Sequence, residues 1–288
     1  MQKAGSKLIA AVLFSFTLLP LSAQWVNYPT AGVPKTPDGK PNLTAPAPRT
    51  ADRKPDFSGM WWIAGDSLPC PPDIRNENGE CLEKGLGLAG QQGGGLSAQA
   101  ANIAAGLTSG LPYQPWAADL VKRRAQDGGK DDPHSKCLPP QLPRAYTLPH
   151  IQKLVQTPGL LIMLDEFNAS YRQVFTDGRP LPVDPQPAWN GYSTARWDGD
   201  TLVIDTAGFR DDLWLDMRGN PLTSAAKVSE RLRRPNFGTL EIEFTVDDPK
   251  AYTKPWTVQI KQFIVLDTEL IDEICLENEK SSQHMTAK

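Results

Sequence analysis

The residue of this chain best suited to chemistry is an acidic side chain set among apolar ones. Glu230 alternates with Val228 and Leu232, so a strand over residues 226–233 would point all three side chains to one face. A carboxylate on an apolar face must be paired, hydrogen-bonded or protonated, and burial raises its pKa toward the range of general acids and bases. Glu230 is therefore the first candidate for a catalytic residue.

Basic residues on neighbouring segments offer Glu230 a partner inside the fold. Arg172 and Arg196 both lie on predicted strands, and either guanidinium could neutralise the carboxylate. A buried glutamate–arginine pair that only stabilises the fold is the alternative interpretation. Asp205 is a weaker candidate of the same kind, because either face of its segment could be the buried one.

Two further residues would assist Glu230 if the protein is an enzyme. Tyr192 begins a predicted strand after a long connection, where its hydroxyl could face a pocket as a donor or an acid, and Asp216 lies in the next long connection. The sequence contains no GxSxG, no HExxH and no phosphate-binding glycine loop, and its three histidines are scattered. We therefore expect no histidine-based triad, no metal site and no cofactor.

The elements that position these residues are short alternating segments separated by turn residues. After Pro149 they follow one another without intervening helices, which is typical of consecutive strands. The predicted strands span 57–63, 151–157, 160–166, 170–176, 192–197, 201–207, 226–233, 239–246, 256–266 and 270–275. We predict a mainly β fold, an antiparallel up-and-down meander barrel of about eight to ten strands, with a short helix and a flexible insertion near its N-terminal side.

Alternating strands would divide their connections between the two ends of the barrel. One end would carry only tight turns. The other would carry the tight turn at 158–159 and three long rim loops, which span 177–191, 208–225 and 247–255. Long loops on one rim of a rigid scaffold commonly hold binding and catalytic sites, so we expect the functional site under these loops.

The rim loops carry aromatic and charged residues that suit an organic ligand with polar groups. The candidate ligand-binding residues, including some on strands, are Arg172, Arg179, Trp189, Arg196, Asp205, Trp214 and Tyr252. Alternatively, the two tryptophans only close the mouth of the barrel.

The N-terminus has the pattern of a signal peptide. Lys3 and Lys7 precede an apolar run, and Ser22 and Ala23 offer small residues at a cleavage site. We predict a signal peptide at 1–23, a periplasmic or secreted protein, and no integral membrane segment after cleavage. Cleavage removes two of the 30 basic residues and none of the 33 acidic ones, leaving a net charge of −5, which disfavours nucleic acid as a partner.

The mature chain divides by composition. The predicted organisation is a Pro-rich linker at 24–55, a single barrel domain at 56–279 with a loop and helix insertion at 64–150, and a polar tail at 280–288. Within the insertion, residues 85–110 are rich in Gly and Ala and predict a flexible segment, where Ser97 could cap a short helix through residue 107. A second helix over 116–126 would open at Pro115.

All four cysteines lie in the mature chain, and an even number in an oxidising compartment indicates two disulfides. Cys70 and Cys81 flank a short loop, so we pair them with each other and pair Cys137 with Cys275, while the two other connectivities stay open. A zinc site built from cysteines is disfavoured, because the sequence has no CxxC and only His134 lies close to any cysteine.

The predicted first strand carries a short motif of known families. Residues 57–62, Phe-Ser-Gly-Met-Trp-Trp, resemble the F-x-G-x-W signature on the first strand of lipocalins, in which the tryptophan closes the base of the barrel. From about residue 55 to 279 the chain also resembles uncharacterised secreted bacterial proteins with a lipocalin-like (calycin-type) β-barrel, through segments 175–180, 197–203, 230–231 and 234–235. The resemblance implies the barrel and no particular activity. The long insertion between residues 63 and 151 departs from true lipocalins, so their ligand class does not carry over.

Three hypotheses for function follow. The first is an exported barrel that binds a small, partly aromatic or lipophilic molecule under the rim loops. The second is an enzyme of the same fold, a hydrolase, lyase or isomerase that uses Glu230 with Tyr192 or Asp216. The third is an envelope or surface protein with a protein partner. The substitution Glu230→Gln separates the first two, because it would spare binding in a carrier and abolish turnover in an enzyme.

Overall fold

The computed structural model of this protein describes residues 28–63 and 97–277. Its strands are β1 (Gly59–Ile63), β2 (Gln152–Thr157), β3 (Leu160–Asp165), β4 (Ser170–Phe175), β5 (Tyr192–Asp198), β6 (Thr201–Ala207), β7 (Leu213–Trp214), β8 (Pro221–Leu222), β9 (Lys227–Asn236), β10 (Thr239–Asp247) and β11 (Trp256–Val265). Nine of these close into a barrel, in the order β1, β11, β10, β9, β6, β5, β4, β3, β2, and β7 pairs with β8 in a separate small sheet. The predicted signal peptide, the polar tail at 280–288 and the Cys70–Cys81 pair lie outside the described residues.

Alternating side chains build the barrel wall. In β10, Leu240, Ile242, Phe244 and Val246 are buried, whereas the Thr and Glu residues between them are half-buried. Burying the apolar face of each strand stabilises closure around one core, which also takes up Trp61 of β1. The prediction of a mainly β barrel is confirmed.

One pair of neighbouring strands departs from the predicted alternation. β4 and β5 run parallel and pair only at Val174–Ser193 and Phe175–Thr194. The other neighbouring pairs of the barrel are antiparallel. Because parallel neighbours need a crossover connection, the 177–191 loop passes from one end of the barrel to the other. The prediction that all three rim loops gather at one end is therefore wrong.

The two ends of the barrel carry different connections. The turn end, as we call it, carries the tight turns at 158–159, 198–200 and 237–238. The prediction that the 158–159 turn lies with the long loops is therefore also wrong, because the parallel pair puts β2 in the same direction as β5. The opposite end, the loop end, carries the insertion that precedes β2 and the two long loops at 208–225 and 247–255. Any opening at the loop end is therefore set by how these loops pack.

The two long loops seal the loop end. Trp214 is 2% exposed and Tyr252 is 1% exposed. The Tyr252 hydroxyl donates to the carbonyl of Pro221 at 2.8 Å, and the Arg124 guanidinium lies 4.3 Å from the centre of the Trp214 ring. These aromatic side chains therefore close the barrel mouth, which is the alternative that the sequence left open for Trp214.

The helices of the described ranges lie in the insertion. They are α1 (Ala98–Ala101), α2 (Pro115–Gln126) and α3 (Arg144–Thr147), with a 3-10 helix at His134–Lys136. The Ser97 hydroxyl oxygen accepts from the Ala100 N–H at 3.0 Å and Pro115 occupies the first turn of α2, so both predicted helix starts are confirmed. α1 packs against α3, the Gln99 side chain donates to the Gln259 carbonyl on β11 at 2.9 Å, and α1 ends earlier than predicted. Within the described residues, the helices are too short to cross a bilayer.

The Pro-rich segment before β1 packs on the turn end. The Gly238 N–H donates to the Leu43 carbonyl and the Phe237 N–H to the Ala45 carbonyl, both at 2.8 Å. Arg49 also forms an ion pair with Asp200 at 2.6 Å. From Tyr28 onward, the predicted linker is therefore held against the barrel.

The prediction of a strand at 270–275 is wrong. This segment forms one isolated bridge, between Phe167 and Glu273, and leaves Ile271 52% exposed and Ile274 41% exposed. With no buried apolar face, alternation alone does not stabilise a strand. The segment is held instead by the Cys137–Cys275 disulfide, whose Cα atoms lie 5.4 Å apart, and this predicted pairing is confirmed.

Candidate functional site

Glu230 points into the barrel, as the alternation of β9 predicts, and is fully buried. Arg172 on β4 approaches it from across the interior, with Nη1 3.1 Å from Oε1 and Nη2 bonded to Oε2. The Tyr146 hydroxyl, carried by α3, donates to Oε1 at 2.6 Å. Three donors therefore hold the Glu230 carboxylate, and its ion-pair partner is Arg172.

The remaining donors of Arg172 are also satisfied. Its Nε donates to Ser193 Oγ on β5 at 3.1 Å and its Nη2 to Thr206 Oγ1 on β6 at 2.9 Å. Burial opposes the charged form, but Glu230 and Tyr146 outweigh it, and the pKa of Arg172 lies above its usual range. Because every N–H group of the guanidinium is hydrogen-bonded within the protein, Arg172 has a structural role as a buried cation.

Tyr146 is buried with this pair. Burial and the nearby Glu230 carboxylate raise the pKa of its hydroxyl well above its usual value, so it stays a hydrogen-bond donor. Sequence reasoning missed Tyr146, because it lies on a four-residue helix that shows no periodicity. Its hydrogen bonds with Glu230 and Arg172, and the bond from Gln262 Nε2 to its carbonyl, join α3 to the barrel interior.

The other arginine considered for Glu230 lies on the opposite side of the wall. Arg196 is exposed and forms an ion pair with Asp205, which is half-buried on the neighbouring strand β6. Both side chains therefore face outward. An exposed ion pair of this kind contributes little to stability.

The three residues proposed for catalysis contact different partners. The Tyr192 hydroxyl accepts from Arg179 Nη1 at 3.2 Å on the outer face of the barrel. Asp216 is fully buried and accepts from the backbone N–H groups of Ile103 and Asn220, at 2.6 Å and 3.1 Å. Burial raises the pKa of the Asp216 carboxyl, which the hydrogen bonds oppose. Asp216 joins the insertion to the 208–225 loop and does not touch Glu230.

A groove opens in the barrel wall where β4 and β5 diverge. Since these strands pair only at Val174 and Phe175, no strand among the described residues lies beside the earlier part of β4 on that side. The groove has a volume of about 540 Å³. It is lined by residues 168–173, Phe175, residues 188–193 and Pro139. We call it the flank groove.

Aromatic rings form the walls of the flank groove. Tyr171 is 63% exposed, and Phe175 stacks on Tyr192 with ring centres 5.2 Å apart. Trp189, near the C-terminal end of the 177–191 loop, is half-buried, and the Arg210 guanidinium lies over its ring, 5.0 Å from the ring centre. Of the aromatic residues predicted for ligand binding, Trp189 alone lines this groove, while Trp214 and Tyr252 are buried at the loop end.

The floor of the groove is polar. Arg172 and Ser193 line it, and a narrow crevice continues from it toward Tyr146 and Met163. Asn190 lines both spaces, and its Oδ1 is buried without a hydrogen-bond partner among the described residues. Buried polar atoms are usually bonded, so this oxygen is a candidate acceptor for a ligand donor.

Predicted Arg179 lies beside the groove rather than in it. Its guanidinium lies 3.9 Å from the centre of the Phe175 ring and forms an ion pair with Asp177 at 2.6 Å. It therefore supports an aromatic wall.

Comparison of the chain with protein-family models, curated proteins and solved structures finds no match, so the resemblance to lipocalin-like proteins stays a prediction.

Proposed function

We propose that this chain is an exported binding protein for a small, partly aromatic or lipophilic molecule, held in the flank groove. The observation that carries the proposal is the exposed aromatic lining of a concave space of about 540 Å³ above a polar floor. Small-molecule sites are concave, largely apolar and equipped with a few placed polar groups. The 177–191 loop lines the groove, whereas the loops at 208–225 and 247–255 pack elsewhere.

The polar floor indicates what the ligand must carry. Asn190 Oδ1 is an acceptor that no residue in the described ranges uses, so a ligand N–H or O–H placed there would satisfy a buried oxygen. The walls formed by Tyr171 and Trp189 favour a flat ring, because stacking adds to apolar burial. The proposed ligand therefore has an aromatic or lipophilic body and at least one hydrogen-bond donor.

The carrier hypothesis is favoured over the enzyme hypothesis by the state of Glu230. Both of its carboxylate oxygens are engaged by Arg172 and one also by Tyr146. A general base must reach a proton on the substrate, and Glu230 is fully buried and is not part of the groove lining. Tyr192 lines the groove but contacts Arg179 rather than an acid or base partner.

The test uses mature protein secreted with its own signal peptide. Native mass spectrometry identifies any compound that co-purifies, and titration with the aromatic fluorophore anilinonaphthalenesulfonate measures groove binding. Tyr171→Ala and Trp189→Ala should each weaken probe affinity by about tenfold, since truncating an aromatic anchor removes more than about 1 kcal/mol.

The matched control is Tyr28→Ala, which removes a tyrosine that is 53% exposed and lies outside the groove lining. It should leave probe affinity unchanged. Equal affinity in all the variants, or no binding by the intact protein of either probe or co-purified compound, contradicts the proposal.

A further inference from the structure

A cluster of one histidine and two glutamates lies outside the lining of the flank groove. His150 precedes β2, Glu166 follows β3, and Glu273 belongs to the C-terminal segment. One potential ligand atom from each residue lies within 4.8 Å of the other two. An imidazole nitrogen with two carboxylate oxygens is a ligand set for a divalent transition metal.

The spacing of these atoms fits one ion. His150 Nδ1 lies 3.2 Å from Glu273 Oε2 and 4.0 Å from Glu166 Oε1. Ligand atoms around a tetrahedral Zn²⁺ lie about 3.4 Å apart, because each bond is about 2.1 Å long. Glu166 Oε1 also accepts from the Ile151 N–H at 2.6 Å, so Glu166 can keep this hydrogen bond on one lone pair or bind the ion through its other oxygen, while the exposed Glu273 side chain adjusts to the ion.

Backbone hydrogen bonds already hold Glu166 beside Glu273, and the Glu166 N–H donates at 3.1 Å to the carbonyl of Ile151, the neighbour of His150. The Glu273 N–H donates to the Glu166 carbonyl at 2.7 Å, and the Asn168 N–H donates to the Glu273 carbonyl at 2.6 Å. Two residues further on, Cys275 is fixed by its disulfide to Cys137. Ligands fixed in this way lose little conformational freedom when an ion binds.

A second histidine beside the cluster has an unsatisfied ring nitrogen within the described part of the chain. The His134 ring packs against Phe167 at 4.3 Å and His150 at 5.8 Å between ring centres. Its Nδ1 is buried without a hydrogen-bond partner among the described residues. Buried nitrogens rarely lack a partner, and an ion with its bound water would supply polar atoms to this corner. The side chain of Glu273 is 53% exposed, which gives the cluster access to solvent.

We propose that His150, Glu166 and Glu273 bind a Zn²⁺-type divalent ion, with water completing its coordination. The two carboxylates balance the charge of the ion, and the imidazole selects Zn²⁺ over Ca²⁺ or Mg²⁺, which prefer oxygen ligands. The ion links the start of β2, the end of β3 and the C-terminal segment, so it clamps that segment to the barrel. Sequence reasoning missed the site because its ligands are scattered along the chain and no metal-binding motif joins them.

The experiment titrates untagged, chelator-stripped mature protein with Zn²⁺ and measures heat, bound metal and melting temperature. We expect one ion per chain and a rise in melting temperature. Ca²⁺ and Mg²⁺ at the same concentration should bind about a hundredfold more weakly or not at all. Co²⁺ should produce visible absorption bands that His150→Gln abolishes.

Glu273→Gln tests a ligand on an exposed segment, where folding is least affected. Outer-shell partners of a metal are worth about 10- to 100-fold in affinity, so loss of a direct ligand should weaken Zn²⁺ binding by about a hundredfold. The matched control is Asp272→Asn, an exposed carboxylate on the same segment that is not part of the cluster. Equal loss in both variants, no stoichiometric Zn²⁺ in the intact protein, or equal affinity for Ca²⁺ would overturn the proposal.

Discussion

Replacing Glu230 by glutamine tests whether the buried ion pair stabilises the barrel. The glutamine keeps the shape and one acceptor for Tyr146, but it leaves the charge of Arg172, 5% exposed, without a counter-ion. Removing one partner of a buried ion pair costs about 3–5 kcal/mol, because the other charge stays desolvated. We expect the free energy of unfolding in urea, followed by tryptophan fluorescence, to fall by about that amount.

The reciprocal variant tests the same pair from the other side. Arg172→Met leaves the fully buried Glu230 carboxylate without its cation and keeps the Tyr146 hydrogen bond to Oε1. The free energy of unfolding should again fall by about 3–5 kcal/mol, because the remaining charge stays desolvated.

The double variant isolates the interaction itself. With both charges removed, the cost should be at least about 2 kcal/mol less than the sum of the single costs. The control is Glu243→Gln on the neighbouring strand, a glutamate on the outward-facing side of β10, which should change stability by less than about 0.5 kcal/mol. Additive single costs, or a loss below about 1 kcal/mol for Glu230→Gln, would refute the ion-pair reasoning.

Three further predictions concern stability. Burial and the nearby Arg144 charge lower the pKa of His134 to about 4 from its ordinary 6.5. Because the unfolded chain then binds the proton at higher pH than the folded chain, the free energy of unfolding falls as pH drops from about 6.5 to about 4. Between about pH 7 and pH 5, with chelator present, wild type should lose about 1–2 kcal/mol relative to His134→Asn in urea unfolding, and parallel curves would contradict this. At Gly191, where φ is +63°, a Cβ would lie 2.7 Å from the Ala207 carbonyl oxygen. Gly191→Ala should therefore lower the free energy of unfolding by about 2 kcal/mol or more. At Gly110, where φ is similar and the space is open, the same change should cost about 1 kcal/mol. Equal melting temperatures for these two variants would refute the clash. Replacing both Cys137 and Cys275 by alanine frees a loop of 138 residues and should lower the free energy of unfolding by about 2–5 kcal/mol, whereas unchanged denaturation would show that the loop is constrained by other contacts.

Alternation predicted the strands well because each barrel strand buries one face. Glu230 could be placed inside the barrel from Val228 and Leu232 alone, whereas its partner could be narrowed only to Arg172 or Arg196, and the structure selects Arg172. The same pattern failed at 270–275, where no apolar face is buried. A period of two therefore identifies a strand only where a core exists to receive it.

Strand direction was beyond what alternation can predict. Side-chain periodicity is the same in parallel and antiparallel strands, so only the connection carries information about direction. The 177–191 loop has 15 residues, enough to span about 50 Å when extended, so it can either turn back or cross the barrel. The flank groove forms because the loop crosses to the other end of the barrel. Neither the crossing nor the groove could be predicted from the sequence, because the position of the end of the loop is fixed by the bridge between Ala188 and Phe209.

The parallel pair also explains why a charged cluster lies inside this barrel. Main-chain pairing between β4 and β5 is limited to two positions, so the seam between them is weak in backbone hydrogen bonds. Arg172 spans this seam with its side chain, reaching Ser193 on β5, Thr206 on β6 and Glu230 on β9. An apolar side chain at this position could pack but could not bond across three strands. The ion pair therefore holds the wall together at the place where the strands diverge, and Arg172 also lines the flank groove.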